Sequence, residues 1–189
     1  PTTLRLGLAK SKNVMSVRLM RAIGLDTYID GLTRFGFARD HISANESLAL
    51  GAAEFTPLEV VRGYSVLANG GFQVTPYFIT EVTDSFGTPL FEANPAAACR
   101  DCGVLAAAGL DSADAYANTT ADWKAQCPID PVVPNNMAPQ TISAQSAFLI
   151  TDTLTTAIWG GNGWRGTGWR AARDLKRHDI SGKTGTTNE

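Results

Sequence analysis

The sequence predicts an α/β fold, because two hydrophobic periods follow one another along its 189 residues. Most of the chain repeats apolar residues with the helical period of about 3.6, and one stretch alternates with the period of two that is typical of β-strands. Apolar residues make up 44% of the chain and charged residues 18%, which is typical of a globular protein with a buried core. The length allows residues 1–189 to lie in one domain, whole or in part, and does not require two.

The first two predicted helices lie near the amino terminus. Apolar residues form one stripe over 14–23, and Gly24 ends it. Asp26 is expected to cap a second helix, which ends at Gly36.

A third helix has the clearest start signal in the sequence. Thr56 at the N-cap, Pro57 at the first helical position and Glu59 at the third predict a capping box. The helical period returns from Ser143 and ends at Gly160-Gly161, which predicts a fourth helix.

Two stretches of the sequence are predicted to form β-structure. Residues 77–82 alternate, 84–87 (Asp-Ser-Phe-Gly) make a turn and 89–91 return, which predicts a hairpin. Residues 179–187 are rich in Gly and Thr and suit a strand whose backbone is closely approached. We interpret 93–139 as a long, irregular insertion and 160–170 as a loop.

All three cysteines, Cys99, Cys102 and Cys127, fall in the predicted insertion. A structural disulfide, free thiols in a variable loop and a metal site are all compatible with their spacing. Zinc is the least favoured, because no second Cys pair or nearby His completes four ligands.

Charge and hydropathy exclude several classes of partner. The net charge is −2, and no Lys/Arg run is present, so we expect neither nucleic acid nor an anionic membrane surface as a partner. The sequence contains no run of 18 consecutive apolar residues, which a bilayer-spanning helix would need. The amino terminus is not a signal peptide, and the carboxyl terminus stops inside a motif, so we expect an internal piece of a longer chain.

Two short segments point to chemistry, Ser11-Lys12-Asn13 and Lys183-Thr184-Gly185-Thr186-Thr187. Taken singly, the first could be a helix cap and the second a strand end with a solvated lysine. Serine acyl-transferases that act on peptides with a terminal carboxylate need three tools: a Ser–Lys nucleophile pair, a second hydroxyl and amide, and a cation for the carboxylate. In this order the two segments match the second and third tools, known as S-x-N and K-T-G.

With these motifs the chain resembles the class A, bifunctional penicillin-binding proteins, most closely 1A-type members from Gram-negative bacteria. The resemblance covers nearly all of the chain apart from residues 93–139. Four blocks carry it in the family's order: 11–19, 48–71, 76–87 and 181–187.

The resemblance implies a penicillin-binding transpeptidase, or serine β-lactamase-like, fold with a mainly antiparallel sheet flanked by helices, incomplete in this chain. It implies a D,D-transpeptidase that cross-links peptidoglycan stem peptides ending in D-Ala-D-Ala, uses no metal or cofactor, and is inhibited by β-lactams. It also implies the periplasmic face of the inner membrane, with the anchor and a glycosyltransferase domain outside this chain. Cell-wall synthesis proteins or a second copy are possible partners.

The same resemblance implies roles for individual residues. Ser11 would relay a proton between the catalytic lysine and the leaving amine, and Asn13 would hold the substrate's peptide amide. Lys183, helped by the hydroxyls of Thr184 and Thr186, would bind the substrate carboxylate.

The remaining implied roles belong to the backbone of the K-T-G block. The Thr186 N–H would be one oxyanion-hole donor. Gly185 would let the substrate backbone lie beside the strand that runs to Thr187.

The family's S-x-x-K nucleophile is absent, since none of the five lysines has a serine three residues before it. The resemblance places that motif before Pro1 and further strands of the sheet after Glu189. We therefore expect this chain alone to be inactive.

Three other classes of protein compete with this interpretation. A serine β-lactamase needs a deacylating glutamate, but Glu46 has no suitable asparagine after it. A β-lactam-recognising sensor domain would share the motifs, although residues 48–71 favour the synthase. A scaffold that has lost its serine is the third alternative.

Overall fold

The computed structural model describes residues 2–98 and 136–185. Within these ranges the chain forms six α-helices, two 3-10 helices and two β-strands. In chain order these are α1 (Leu4–Ala9), α2 (Asn13–Ile23), α3 (Leu25–Arg34), the 3-10 helices Arg39–His41 and Glu46–Leu50, α4 (Pro57–Ala68), β1 (Glu81–Thr83), β2 (Pro89–Glu92), α5 (Ala144–Trp159) and α6 (Trp169–Leu175).

The two predicted amino-terminal helices are confirmed as α2 and α3, with one correction. Asp26 does not cap α3, because the helix begins at Leu25 and its N-cap is Gly24. Asp26 instead lies in the first turn, where a carboxylate interacts favourably with the positive end of the helix dipole.

The capping box at the start of α4 is confirmed, because both of its hydrogen bonds are present. The Glu59 N–H donates to the Thr56 hydroxyl oxygen at 3.2 Å, and the Thr56 N–H donates to the Glu59 carboxylate at 2.8 Å. The start of α5 is confirmed as well, since the Ser143 hydroxyl oxygen accepts the Ser146 N–H at 3.2 Å.

The predicted hairpin is confirmed but is shorter than the alternating stretch. β1 and β2 pair antiparallel with Val82 opposite Phe91. The Asp84 carboxylate closes the turn by accepting the backbone N–H groups of Phe86 and Thr88, each at 2.8 Å. In the described part of the chain this hairpin is the whole sheet.

Two predictions about the carboxyl-terminal region are wrong for the residues described. The part of the expected strand from 179 to 185 has no strand geometry, because no neighbouring strand pairs with it within the described ranges. The expected loop over 160–170 ends earlier than predicted, since α6 begins at Trp169.

The ends of the expected insertion lie side by side. The Ala97 N–H donates to the Asn136 carbonyl oxygen, and the Ala138 N–H donates to the Ala97 carbonyl oxygen, both at 2.9 Å. Most of the segment, with all three cysteines, lies outside the described residues.

Two buried clusters organise the helices. Met20, Ile29, Ile42 and Leu48 join α2 and α3 to the second 3-10 helix. Helices α1, α4 and α6 each pack against α5. The buried residues of these four helices are mainly small: Ala9, Val66, Ala147, Leu154, Ala157, Ile158 and Ala172. Small side chains allow close helix approach, so α5 is the scaffold on which both motif-bearing segments rest. No helix in the described ranges is long and apolar enough to cross a membrane.

Candidate active site

The first motif lies in a tight turn between α1 and α2. Ser11 has φ 52°, in the left-handed region that non-glycine residues enter at a cost of about 1 kcal/mol. The Lys12 N–H donates to the Gly7 carbonyl oxygen at 2.9 Å and the Ser11 N–H donates to that of Leu8 at 3.0 Å, which holds the turn. The N-cap of α2 is Lys12, so Ser11 is not used as a helix cap.

The turn brings Ser11 to the second motif, 172 positions later in the chain. The Lys183 ammonium donates to the Ser11 hydroxyl oxygen at 2.5 Å and to the Thr184 carbonyl oxygen at 2.8 Å. Lys183 is half-buried, and this burial lowers the pKa of its ammonium group. A partly desolvated cation beside a hydroxyl can bind a carboxylate and polarise a proton relay.

Helix α5 positions the segment that carries Lys183. The hydroxyls of Ser181 and Thr155 lie 2.7 Å apart, and the Gly182 N–H donates to the Leu154 carbonyl oxygen at 3.4 Å. Leu154 is buried in α5 and Thr155 is half-buried there, so the start of the K-T-G block is anchored on the scaffold.

A third segment, between α5 and α6, completes the site. The Thr184 hydroxyl donates to the Thr167 hydroxyl oxygen at 2.8 Å. Beside it an open cleft of about 560 Å³ is lined by Thr167, Trp169, Arg170, Lys183 and Thr184, among others. The sequence predicts 160–170 only as a loop and does not point to Thr167, Trp169 or Arg170 as site residues. The glycines that flank Thr167 were the signal that could have found it.

Two other predicted site residues, Asn13 and Gly185, lie at the surface. Asn13 is exposed in the first turn of α2, and among the described residues its side chain has no hydrogen-bond partner. Gly185 is exposed, and a Cβ placed on it would meet nothing within 4 Å. Thr186 and Thr187 lie outside the described residues.

The residues that the structure describes contain no group of three His, Cys, Asp or Glu side chains arranged to hold a metal ion. The Ser11–Lys183 contact brings a hydroxyl and an ammonium group together, with the Thr184 hydroxyl beside them. These are the donors and acceptors that acyl transfer from a carboxylate-bearing peptide uses.

Known proteins resemble the chain in sequence. The family description "Penicillin binding protein transpeptidase domain" matches residues 1–189. Penicillin-binding protein 1A from Escherichia coli is 44% identical over 208 residues, which cover 100% of this chain and 24% of that protein. Penicillin-binding protein 1A from Vibrio cholerae is 44% identical over 195 residues, covering 100% and 21%. The chain thus spans about a quarter of the length of these relatives.

Solved structures share the fold. The crystal structure of penicillin-binding protein 1A from Haemophilus influenzae matches with a TM-score of 0.79 at 44% identity, covering 100% of this chain and 27% of that one. The D,D-transpeptidase domain of a peptidoglycan glycosyltransferase from Eggerthella lenta matches with a TM-score of 0.60 at 19% identity, covering 100% and 42%, which shows the fold alone. The predicted fold class is confirmed, and the chain belongs to the penicillin-binding protein transpeptidase family.

Proposed function

We propose that this chain is part of the transpeptidase domain of a longer protein that cross-links peptidoglycan stem peptides and is inhibited by β-lactams. The contact between the Lys183 ammonium and the Ser11 hydroxyl oxygen, 2.5 Å long, is the observation that carries the proposal. It joins the S-x-N and K-T-G motifs into one site, as acyl transfer requires. The family membership supports the reaction class over a β-lactamase or a sensor.

In the proposed reaction, a serine of the longer protein attacks the carbonyl carbon of the penultimate D-Ala. An ester bond to the serine forms, the amide bond to the terminal D-Ala breaks, and the leaving amine takes a proton. An amine of a neighbouring stem then attacks the ester, restores the serine and forms the cross-link. No step needs a metal or an organic cofactor.

Ser11 and Lys183 are proposed to act at the two ends of the substrate's last residue. The Ser11 oxygen already accepts from Lys183, so its own O–H remains available to pass a proton to the leaving amine. Lys183 supplies the positive charge that the terminal carboxylate or the β-lactam carboxylate would face.

The remaining proposed contacts rest on the motifs. Asn13 is exposed and so accessible to the substrate's peptide amide. Thr184 and Gly185 line the path of the substrate, while Thr186 and Thr187 would provide further hydroxyl and oxyanion contacts.

We also propose residues 1–189 as part of one domain, with an insertion over 93–139. Its location would be the periplasmic face of the bacterial inner membrane, held by an anchor elsewhere in the longer protein. Cell-wall synthesis proteins or a second copy of the protein would be its partners there, beside a glycosyltransferase domain.

The test is labelling of the longer, membrane-anchored protein with a fluorescent penicillin. Lys183→Ala is expected to slow acylation by about 2–3 kcal/mol in transition-state free energy, because the carboxylate loses its charge partner. Lys12→Ala is a matched control, since Lys12 is exposed and adjacent to Ser11 but does not line the cleft. Equal acylation rates for Lys183→Ala and the unaltered protein would show that the site is wrongly placed.

A further inference from the structure

We infer that Thr167, between α5 and α6, is a positioning residue that joins the segment before Ser11 to the K-T-G block. This inference rests on the proposed function, because it assigns Thr167 a role in the same site. Neither of the two motifs contains Thr167. Three sets of contacts support this positioning role.

The backbone of Thr167 is tied to the segment that precedes Ser11. Its N–H donates to the Ala9 carbonyl oxygen at 3.0 Å. Ala9 is fully buried at the end of α1, two residues before Ser11. Movement of the Thr167 backbone is thereby coupled to the turn that presents the Ser11 hydroxyl.

Two glycines hold the backbone on either side of Thr167 close to the end of α5. A Cβ on Gly166 would lie 2.1 Å from the Ala157 carbonyl oxygen, so only glycine permits this approach. The Gly168 N–H donates to the same carbonyl oxygen at 2.9 Å. Since Ala157 is fully buried, both neighbours of Thr167 are fixed to the core.

The Thr167 side chain in turn orients the K-T-G block. The Thr184 hydroxyl donates to the Thr167 hydroxyl oxygen at 2.8 Å, and the Lys183 ammonium donates to the Thr184 hydroxyl oxygen at 3.4 Å. Thr184 is exposed, so without this acceptor its hydroxyl would rotate toward water. By accepting its proton, Thr167 keeps the Thr184 lone pairs directed at Lys183.

A double-mutant cycle on the longer protein tests this coupling, with the rate of fluorescent-penicillin acylation as readout. Thr167→Val keeps the shape and the backbone N–H but loses the acceptor, and we expect acylation about fivefold slower, as the loss of one hydrogen bond implies. Thr167→Ser restores the hydroxyl, and its rate is expected to stay within about twofold of the unaltered rate. In a Thr184→Val background, Thr167→Val is expected to have no effect, because its partner is gone.

The outcomes separate this inference from the proposed function. An unaltered protein that does not label would remove the proposed function. Labelling with an unchanged Thr167→Val rate would overturn the role of Thr167 alone, as would equal slowing by Thr167→Val with and without the Thr184 hydroxyl. If the valine variant does not fold, as judged from its thermal transition, Thr167→Ala takes its place in the same cycle.

Discussion

At the scale of single residues, the structure constrains the backbone conformation of Ser11 and the hydration of Lys183. Ser11 adopts a left-handed backbone conformation, and its hydroxyl accepts a hydrogen bond from the Lys183 ammonium. Lys183 loses part of its hydration, and among the described residues its hydrogen-bond partners are the neutral oxygens of Ser11 and Thr184. Such a cation is less well compensated than one in water, and it gains more when a carboxylate arrives.

The pKa of Lys183 is a prediction at this scale. Burial disfavours the ammonium form, so its pKa is lowered and the proton is lost at a lower pH than from an ordinary lysine, whose value is about 10.4. Competitive acetylation of the longer protein across alkaline pH, read by mass spectrometry, is expected to place the Lys183 midpoint below that value. Carboxylate binding would then weaken on the alkaline side as Lys183 becomes neutral.

Lys183→Arg is the matched variant for the alkaline weakening of carboxylate binding, because a guanidinium stays charged throughout the range. Its β-lactam acylation is expected to lack the alkaline decline assigned to Lys183. A midpoint at or above the ordinary lysine value would contradict the effect of burial.

At the scale of elements, helix starts depend on interactions between residues three positions apart. The α4 capping box pairs Thr56 and Glu59 in both directions, and these bonds from Thr56 also hold the pKa of the Glu59 carboxyl below its ordinary value. At a pH above the ordinary pKa of Glu59, its charged carboxylate stabilises the folded helix. This contribution is lost as the pH falls through the lowered folded-state pKa.

Thr56→Ala is therefore expected to lower the free energy of unfolding by about 1 kcal/mol. Thr56→Ser keeps the hydroxyl and is expected to remain close to the unaltered protein. The measurement is the thermal transition of the transpeptidase domain by calorimetry, on the longer protein. An alanine variant as stable as the serine variant would mean that the cap contributes nothing.

At the scale of the whole molecule, distant stretches of chain are joined through backbone contacts at Gly71. Its carbonyl oxygen accepts the N–H groups of Thr141 at 2.8 Å and Ile142 at 3.3 Å. This contact connects the end of α4 to the segment before α5, across the hairpin and the insertion. It therefore sets where the scaffold helix begins relative to the first part of the chain.

Gly71→Ala tests how tightly the two stretches fit. Gly71 has φ 102°, and a Cβ on it would lie 2.1 Å from the Ile142 carbonyl oxygen. We expect a loss of stability of about 3 kcal/mol or more, from left-handed strain and the displaced backbone together. Gly87→Ala is the matched control, because Gly87 has φ 85° with nothing within 4 Å of its added Cβ, so only about 1 kcal/mol is expected.

The readout is again the thermal transition of the domain. Equal shifts for the two alanine variants would show that the approach of Gly71 to Ile142 is not a constraint on the fold.

Local interactions account for what the sequence alone determined. The α4 capping box, the Asp84 turn and the period of α5 were all predictable, because each depends on residues a few positions apart. The two motifs are also made of neighbouring residues, and together with the blocks at 48–71 and 76–87 they carry the family resemblance. The Asp26 cap failed because Asp, a good capping residue, also suits the first turn of a helix.

Only the tertiary structure decided how these pieces meet. The Ser11–Lys183 contact spans 172 positions, and Thr167 joins Ala9 to Thr184 through hydrogen bonds that no local pattern encodes. Both depend on the packing of small residues around α5, which sets the distance between segments remote in sequence. The strand predicted over 179–187 is wrong in its described part, 179–185, for the same physical reason: a strand exists only through a partner, and the described residues provide none.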